Sequence, residues 1–321
     1  MADLQIKEII IMKKNLYYQA FRAARPLHWV KNFSLFAAIL FTNTLFIPYY
    51  QKLVILAFIA FCLATSATYI FNDIVDIPKD RLHPIKKSRP IASGNLPFGF
   101  ALLEAGVLAL MALLLASSLN QLFFIAIITY LILQVLYSLF LKNTPVVDIL
   151  VIASGFIIRV YAGAFAINAH LSVWFLLCVI SVALFLASGK RRAELSTIEK
   201  SGGITRKSLS KYTKQLLNSY VTMFGNAAWM SWSLFTFFES PKAALPVWLA
   251  LAEISKTTTI NKLLMVTIPV VIFGIMRYES LIFEEKSEAP EKLLLTDVPL
   301  IFSIFLWVGI VLWVLYSGVS V

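Results

Sequence analysis

Apolar runs near twenty residues recur from one end of this chain to the other, roughly at 33–50, 53–72, 98–118, 121–141, 146–167, 171–188, 217–238, 263–283 and 299–317. At about 1.5 Å per residue, such a run matches the roughly 30 Å of hydrocarbon that a membrane helix must cross. Inside lipid, every backbone N–H and C=O must find a partner within the protein, which leaves a helical bundle as the available architecture. Composition agrees, since 60% of the 321 residues are hydrophobic and 14% are charged, where soluble domains carry about a quarter. The expected fold is all-α: a polytopic membrane protein of nine transmembrane helices. The first run contains Asn43 and Thr44 and is the weakest. Segment 243–252 is apolar but too short to cross and reads as interfacial.

The basic residues divide in step with this layout. Of 28 Lys and Arg, 23 fall in residues 1–32, 73–97, 142, 190–214 and 277–292, which nine spans place on one side. Lys52, Lys242, Lys256 and Lys262 fall on the other side, and Arg159 lies within a span. The positive-inside rule puts the N-terminus and the basic loops in the cytoplasm and the C-terminus outside, as in a multi-pass protein of a bacterial-type inner membrane. Residues 1–32 form a cytoplasmic amphipathic segment with Lys7, Lys13 and Lys14. Residues 33–321 are expected to form one transmembrane domain, with long cytoplasmic loops at 73–97 and 189–216. The net charge of +11 sits between membrane spans, an arrangement that argues against nucleic acid as the partner and for the lipid bilayer.

Chemistry concentrates where the second run ends. Asn72-Asp73-Ile74-Val75-Asp76-Ile77-Pro78-Lys79-Asp80 carries three carboxylates at spacings of three and four. On a continuous helix these share one face and repel one another. A divalent cation relieves that conflict, and Mg²⁺ is commonly held by a few carboxylates together with substrate phosphates. Asn72, Asp73, Asp76 and Asp80 are thus the expected metal site, the aspartates its catalytic residues; an acidic helix end paired with nearby lysines is the plainer alternative. Pro78 is expected to kink the helix. Arg81, Lys86, Lys87 and Arg89 follow, either as a phosphate clamp or as ordinary juxtamembrane charge.

Further along, Tyr137, Lys142 and Asp148 bracket the next cytoplasmic turn. Asp148 and Arg159 lie on one helical face, about 16 Å apart along the axis. A cation as deep as Arg159 faces a cavity or a partner, so it either binds phosphate or makes an interhelical or backbone-carbonyl tie. Lys190-Arg191-Arg192 with Glu194, then Gly202-Gly203, Thr205-Arg206-Lys207-Ser208 and Lys211-Tyr212-Thr213, offer the cations, hydroxyls and glycines that suit an anionic ligand. The glycines lack Walker spacing. Cys62 and Cys178 lie in apolar segments, and His28, His83 and His170 are scattered without a zinc or catalytic grouping. Glu284, Glu285, Glu288 and Glu291 read as a solvated turn.

The Asn-Asp-x-x-Asp-x-x-x-Asp pattern at 72–80, set among nine spans, resembles the UbiA superfamily of intramembrane prenyltransferases. Further blocks resemble the branch that makes decaprenylphosphoryl-5-phosphoribose: Arg25-Pro26 through Trp29-Val30-Lys31-Asn32, Asp80-Arg81-x-His83-Pro84, Arg89-Pro90-Ile91-Ala92, Gly155 to Arg159, Gly189-Lys190-Arg191, Ala193-Glu194-Leu195, Arg206 to Leu209, Tyr212-Thr213 and Arg277-Tyr278. The resemblance implies transfer of 5-phosphoribosyl from phosphoribosyl pyrophosphate to polyprenyl phosphate, with Mg²⁺, inversion at the anomeric carbon and release of pyrophosphate. It also implies a cytoplasm-facing cavity, supply of a pentose donor for cell-wall polysaccharide, and self-association as a homo-oligomer. Carried onto this chain, Asn72, Asp73, Asp76 and Asp80 take the metal–pyrophosphate role, and Lys31, Tyr69, Lys142 and Lys190 are phosphate contacts. Aromatic-acceptor prenyltransferases of the superfamily generally carry a second aspartate-rich motif after the sixth span; Lys190-Arg191-Arg192 stands there instead, with only Glu194 acidic. Arg192 stands where an aromatic residue is expected in relatives. Prenyl transfer from a prenyl diphosphate to an aromatic acceptor remains the alternative, and a non-enzymatic transporter the third reading.

Overall fold

The computed structural model describes residues 16–83, 86–201, 208–239, 258–284 and 296–317. Gly202, Gly203, Thr205, Arg206, Lys207, Pro84, the 243–252 segment, Glu285, Glu288, Glu291 and the lysines at 7, 13 and 14 lie outside these residues. The described residues are helical with no strand. The long helices are α1 (Pro48–Val75), α2 (Phe98–Ser117), α3 (Gln121–Leu139), α4 (Val147–Ala166), α5 (Val173–Ser201), α6 (Lys214–Phe238), α7 (Ile268–Phe283) and α8 (Val298–Tyr316). Seven helical stretches among them are long and apolar enough to cross a membrane: α1 to α4, Val173–Thr197 of α5, Lys262–Phe283 and α8. Helix α6, at 25 residues, is as long but more polar.

Local chemistry sets the helix starts. Asn120 and Thr213 accept from the amides of Phe123 and Leu216, capping α3 and α6. Proline stands in the first turn of α1, α7 and α8, where its missing N–H costs nothing. Small residues bring α1 and α2 together: Ala57, Ala60, Ala64 and Ala67 on one, Ala101, Ala105, Ala112 and Ala116 on the other, all buried. Close backbone approach of this kind supplies van der Waals contact where lipid removes any hydrophobic drive. The outer side of α2 shows Leu102, Leu103, Leu110 and Leu114 to the surroundings.

The first run departs from the expected single helix over 33–50. Residues 16–23 are helical, Arg25 takes a left-handed conformation (φ 52°), and Pro26–Phe36 then winds as a 3-10 helix that becomes α-helical only over Ala37–Phe41. Asn43 (φ 56°) turns the chain, the Thr42 and Thr44 hydroxyls bond at 2.9 Å, and α1 starts at Pro48. The polar pair that weakened the run is the turn that ends it.

A 3-10 helix repeats every three residues, and the sequence obeys that period. Trp29, Asn32 and Leu35 form the inner stripe: Trp29 Nε1 donates to Ser66 Oγ at 3.0 Å, and Asn32 and Leu35 are fully buried. Leu27, Val30 and Phe33 form an exposed stripe. Lys31, Ser34 and Ala37 form a third, which lines the interior spaces described below. Gly163 of α4 admits this segment, because a Cβ there would stand 2.0 Å from the Leu35 carbonyl oxygen.

Candidate active site

Helix α1 ends at Val75 because Pro78 has no N–H to donate and its ring crowds the carbonyl four residues back. Asp76 occupies the break (φ −91°, ψ 3°), and a short helix, Ile77–Leu82, carries Asp80. The aspartates therefore do not stack on one continuous helical face. All three are buried, and each has a cation. Arg25 Nη2 reaches both oxygens of Asp73 at 2.5 and 2.7 Å. Arg89 Nη1 bridges Asp73 at 3.0 Å and Asp80 at 2.6 Å. Lys142 Nζ donates to Asp76 Oδ1 at 2.7 Å, and its own carbonyl accepts from Ser208 Oγ at 2.9 Å. Burial raises the Asp80 carboxyl above its ordinary value, and Arg89 opposes the rise.

Beside this network opens a cavity of about 210 Å³. Among the described residues, Arg25, Lys31, Lys86, Arg89, Arg159 and Lys190 line it, with Glu194 as the one acidic lining residue. Tyr69, Asn72, Tyr130, Gln134 and Tyr137 complete much of the wall. Such a balance attracts anions and repels cations at close range. Arg25 also lies over the Tyr69 ring, 5.1 Å from its centroid. The left-handed backbone of Arg25 turns it back toward Asp73 while Pro26 starts the 3-10 segment; a non-glycine residue held there is strained and needs such fixing contacts.

Arg159, 4% exposed, sits at the deep end. Its Nε donates to Asn32 Oδ1 at 2.7 Å, Nη1 to the Gly155 carbonyl at 2.5 Å and Nη2 to the Tyr130 hydroxyl at 2.9 Å. The guanidinium lies 4.9 Å from the Tyr130 centroid and 5.8 Å from that of Phe156. Arg159 thus makes the expected backbone-carbonyl tie, and it also lines the cavity.

Asp148, Arg191 and Tyr212 stand behind the wall. Arg191 Nε pairs with Asp148 Oδ2 at 2.8 Å, its Nη2 donates to the Tyr137 hydroxyl at 2.7 Å, and its Nη1 pairs with Glu194. The Tyr212 hydroxyl donates to Asp148 Oδ1 at 2.8 Å and accepts from the Val146 amide at 2.5 Å. Val146 holds the positive φ of a tight γ-turn (φ 68°, ψ −50°), closed by the Val147 amide donating to the Pro145 carbonyl at 2.8 Å and rare for a β-branched residue. Burial and the adjacent Asp148 charge push the Tyr212 phenol above its ordinary value, so it stays a donor. Asp148 thus turns to Arg191 on α5 rather than along its own helix to Arg159. Arg191 in turn holds Tyr137 and Glu194 at the cavity.

The remaining site residues separate in the same way. Lys86 and Arg89 line the cavity, whereas Arg81 is exposed and donates to the Ala92 carbonyl at 3.1 Å, and Lys87 is exposed. Lys31, Tyr69, Asn72 and Lys190 line the cavity. Arg192 is buried and donates to Asn218 Oδ1 at 2.6 Å, tying α5 to α6. Arg25, Asn32, Tyr130, Gln134 and Tyr137 belong to the site although the sequence reading assigned them no role in it. For Arg25 the signal was present: an arginine before Pro26, at the same membrane edge as the aspartates.

Among the described residues, no three His, Cys, Asp or Glu side chains gather as a ready-made metal cage. The donor set nonetheless suits Mg²⁺ in its usual mode of few protein ligands plus phosphate oxygens. Asn72 Oδ1 is a buried oxygen without a hydrogen-bond partner among the described residues, on the cavity wall next to Asp73.

Comparison with known proteins identifies the family of the chain. Residues 32–256 match the model of the UbiA prenyltransferase family. The chain is 40% identical over 228 residues to decaprenyl-phosphate phosphoribosyltransferase of Mycolicibacterium smegmatis, covering 70% of this chain and 72% of that protein. It is 35% identical over 311 residues to the protein of the same name from Corynebacterium glutamicum, covering 94% and 88%. The fold is that of a UbiA homolog from Archaeoglobus fulgidus solved with DMAPP and Mg²⁺, at a TM-score of 0.65 and 18% identity, covering 92% of this chain and 98% of that one. The resemblance read from the sequence blocks holds: this multi-pass, all-helical membrane protein belongs to the UbiA prenyltransferase family.

Proposed function

We propose that this chain transfers 5-phosphoribosyl from phosphoribosyl pyrophosphate to a polyprenyl phosphate of the decaprenyl type and releases pyrophosphate. The observation that carries the reading is the cavity wall, six cations against one carboxylate, beside the buried aspartates. Relatives named decaprenyl-phosphate phosphoribosyltransferase cover most of the chain, and two anionic substrates are what such a wall suits.

In this reading a phosphate oxygen of the lipid bonds to C1 of the ribose, and the bond from C1 to the diphosphate breaks with its electrons leaving on pyrophosphate. The acceptor phosphate is already anionic at neutral pH, so the step needs no general base. Arg25, Lys86, Arg89 and Lys190 counter the charge that gathers on the leaving diphosphate, an effect larger in a dry cavity than in water. Asn72, Asp73 and Asp76, with Asp80 behind them, would hold Mg²⁺. When bound, the ion supplies Lewis-acid neutralisation of the diphosphate. Arg25 and Arg89 pair with the aspartates and also line the cavity, so they stand between the carboxylates and the place the diphosphate would take. The mouth of the cavity faces the cytoplasm, where the positive-inside count places it.

The test is radiolabelled phosphoribosyl pyrophosphate with polyprenyl phosphate and the purified protein in detergent. Label is expected in the lipid phase. Its absence there, together with prenyl transfer from a prenyl diphosphate to an aromatic acid, would reverse the assignment in favour of the aromatic-acceptor reaction.

A further inference from the structure

A second space lies against the first. It measures about 250 Å³ and is lined almost wholly by apolar side chains, among them Phe41, Val179, Trp232 and Trp307. Phe156 belongs to both walls. On α4, Phe156 and Arg159 are one turn apart, so the aromatic ring and the guanidinium meet at the junction. The cavity-facing stripe of the 3-10 segment makes the same passage: Lys31 lines the charged space, while Ser34 and Ala37 line the apolar one.

Arg159 is the unusual member of this junction. It is buried in a membrane helix, its hydrogen bonds go to an amide oxygen, a carbonyl and a phenol, and among the described residues no carboxylate pairs with it. A buried cation without a counter-ion is costly. The guanidinium keeps further N–H groups beyond those three bonds, on a residue that lines the anion-attracting cavity. Asn32 and Tyr130 fix its orientation as a preset fork.

We infer that Arg159 is the acceptor subsite: it holds the phosphate of the lipid, while the first isoprene units pass Phe156 into the apolar space toward Trp232 and Trp307. The inference rests on the proposed reading that a lipid phosphate is the acceptor. It divides the cavity into a donor mouth, at Arg25, Lys86, Arg89 and Asn72, and an acceptor floor. It also makes the phosphate, rather than the tail alone, the feature by which the protein selects its lipid.

The experiment is equilibrium binding to the full chain in detergent, followed by tryptophan fluorescence. The probes are geranylgeranyl phosphate, geranylgeraniol and, with Mg²⁺, pyrophosphate. The native protein is expected to bind the prenyl phosphate roughly 10- to 100-fold more tightly than the alcohol, the range of a charge-assisted hydrogen bond. In Arg159→Met the two lipids are expected to bind alike, with pyrophosphate affinity within about 2-fold of native. Retained preference for the phosphate, or a loss confined to pyrophosphate, overturns the subsite. Should Arg159→Met fail to fold, Val179→Trp tests the tail: filling the apolar space is expected to weaken prenyl phosphate about 10-fold or more and leave pyrophosphate unchanged, and an unchanged lipid affinity overturns the placement. Binding through Arg159 without ribosyl transfer would retire the reaction and keep the subsite; transfer with an unaltered acceptor KM in Arg159→Met would do the reverse.

Discussion

Lys142 and Asp76 show how far a single charge in this molecule depends on its partner. Both are almost fully buried and bonded at 2.7 Å. Removing one member of such a pair strands the other, at a cost of about 3–5 kcal/mol. Lys142→Met is therefore expected to lower the thermal midpoint strongly, and Lys142→Met combined with Asp76→Asn to recover most of the loss. Additive destabilisation in the double variant would show that the two side chains do not act as a pair. Arg25 is a different case, since it both pairs with Asp73 and lines the cavity where the proposed reading puts the donor phosphates. Arg25→Ala is expected to raise the donor KM about 10-fold or more while the protein still folds; a fall in stability with the donor KM unchanged would limit it to holding Asp73. At this scale the sequence disclosed which residue types gather but not which face inward. The lysine and arginine blocks at 81–89 and 190–192 look uniform as text, yet each divides into cavity residues and packing or surface residues. That division depends on where Pro78 ends a helix and on which helix lies opposite, and neither is a local property.

Elements were more legible. Long apolar stretches placed most of α1 to α8 within about five residues at each end, since bilayer thickness sets their length; α5 is the exception, because it runs on to Ser201 and makes the first half of the expected loop 189–216 helical. The first run was misread as one α-helix because apolar length does not distinguish a period of 3.6 from one of three. The stripes Trp29–Asn32–Leu35 and Lys31–Ser34–Ala37 carried that information once the period was known. The break at Pro78 is a second element-scale feature. Pro78→Ala would let α1 run on toward the acidic segment and carry Asp80 away from Arg89. We expect a large loss of transfer together with a lowered thermal midpoint, since buried Asp80 would be parted from Arg89; native activity in that variant would make the break irrelevant to the site. Gly163 stands at the opposite extreme. A methyl group there meets backbone, not a movable side chain, so Gly163→Ala is expected to cost about 1–3 kcal/mol as overpacking does, measured as a lowered thermal midpoint; an unchanged midpoint would show that the 3-10 segment can shift freely.

For the molecule as a whole, positive charge and apolar space are arranged in sequence from the bundle end toward its interior. The cationic wall should gather the soluble donor by long-range attraction, a rate effect that salt screens. The donor kcat/KM is expected to fall several-fold between about 0.05 and 0.5 M ionic strength, with kcat nearly constant. A salt-independent kcat/KM would mean that the wall acts only on contact. The sequence announced this polarity through its loops, because the same imbalance of lysine and arginine that orients the spans also supplies the wall. It did not announce the apolar space, whose lining comes from six separate stretches of chain that read individually as ordinary membrane helix.

The three-residue winding of Pro26–Phe36 also limits how this chain can change its length. Adding or deleting one residue there turns every later position by about 120°, which would send Lys31 toward lipid and bring Phe33 or Asn32 to the wrong neighbours. A change of three residues keeps the phase and alters only the depth at which the segment sits, so natural or engineered insertions should survive in this stretch only in multiples of three.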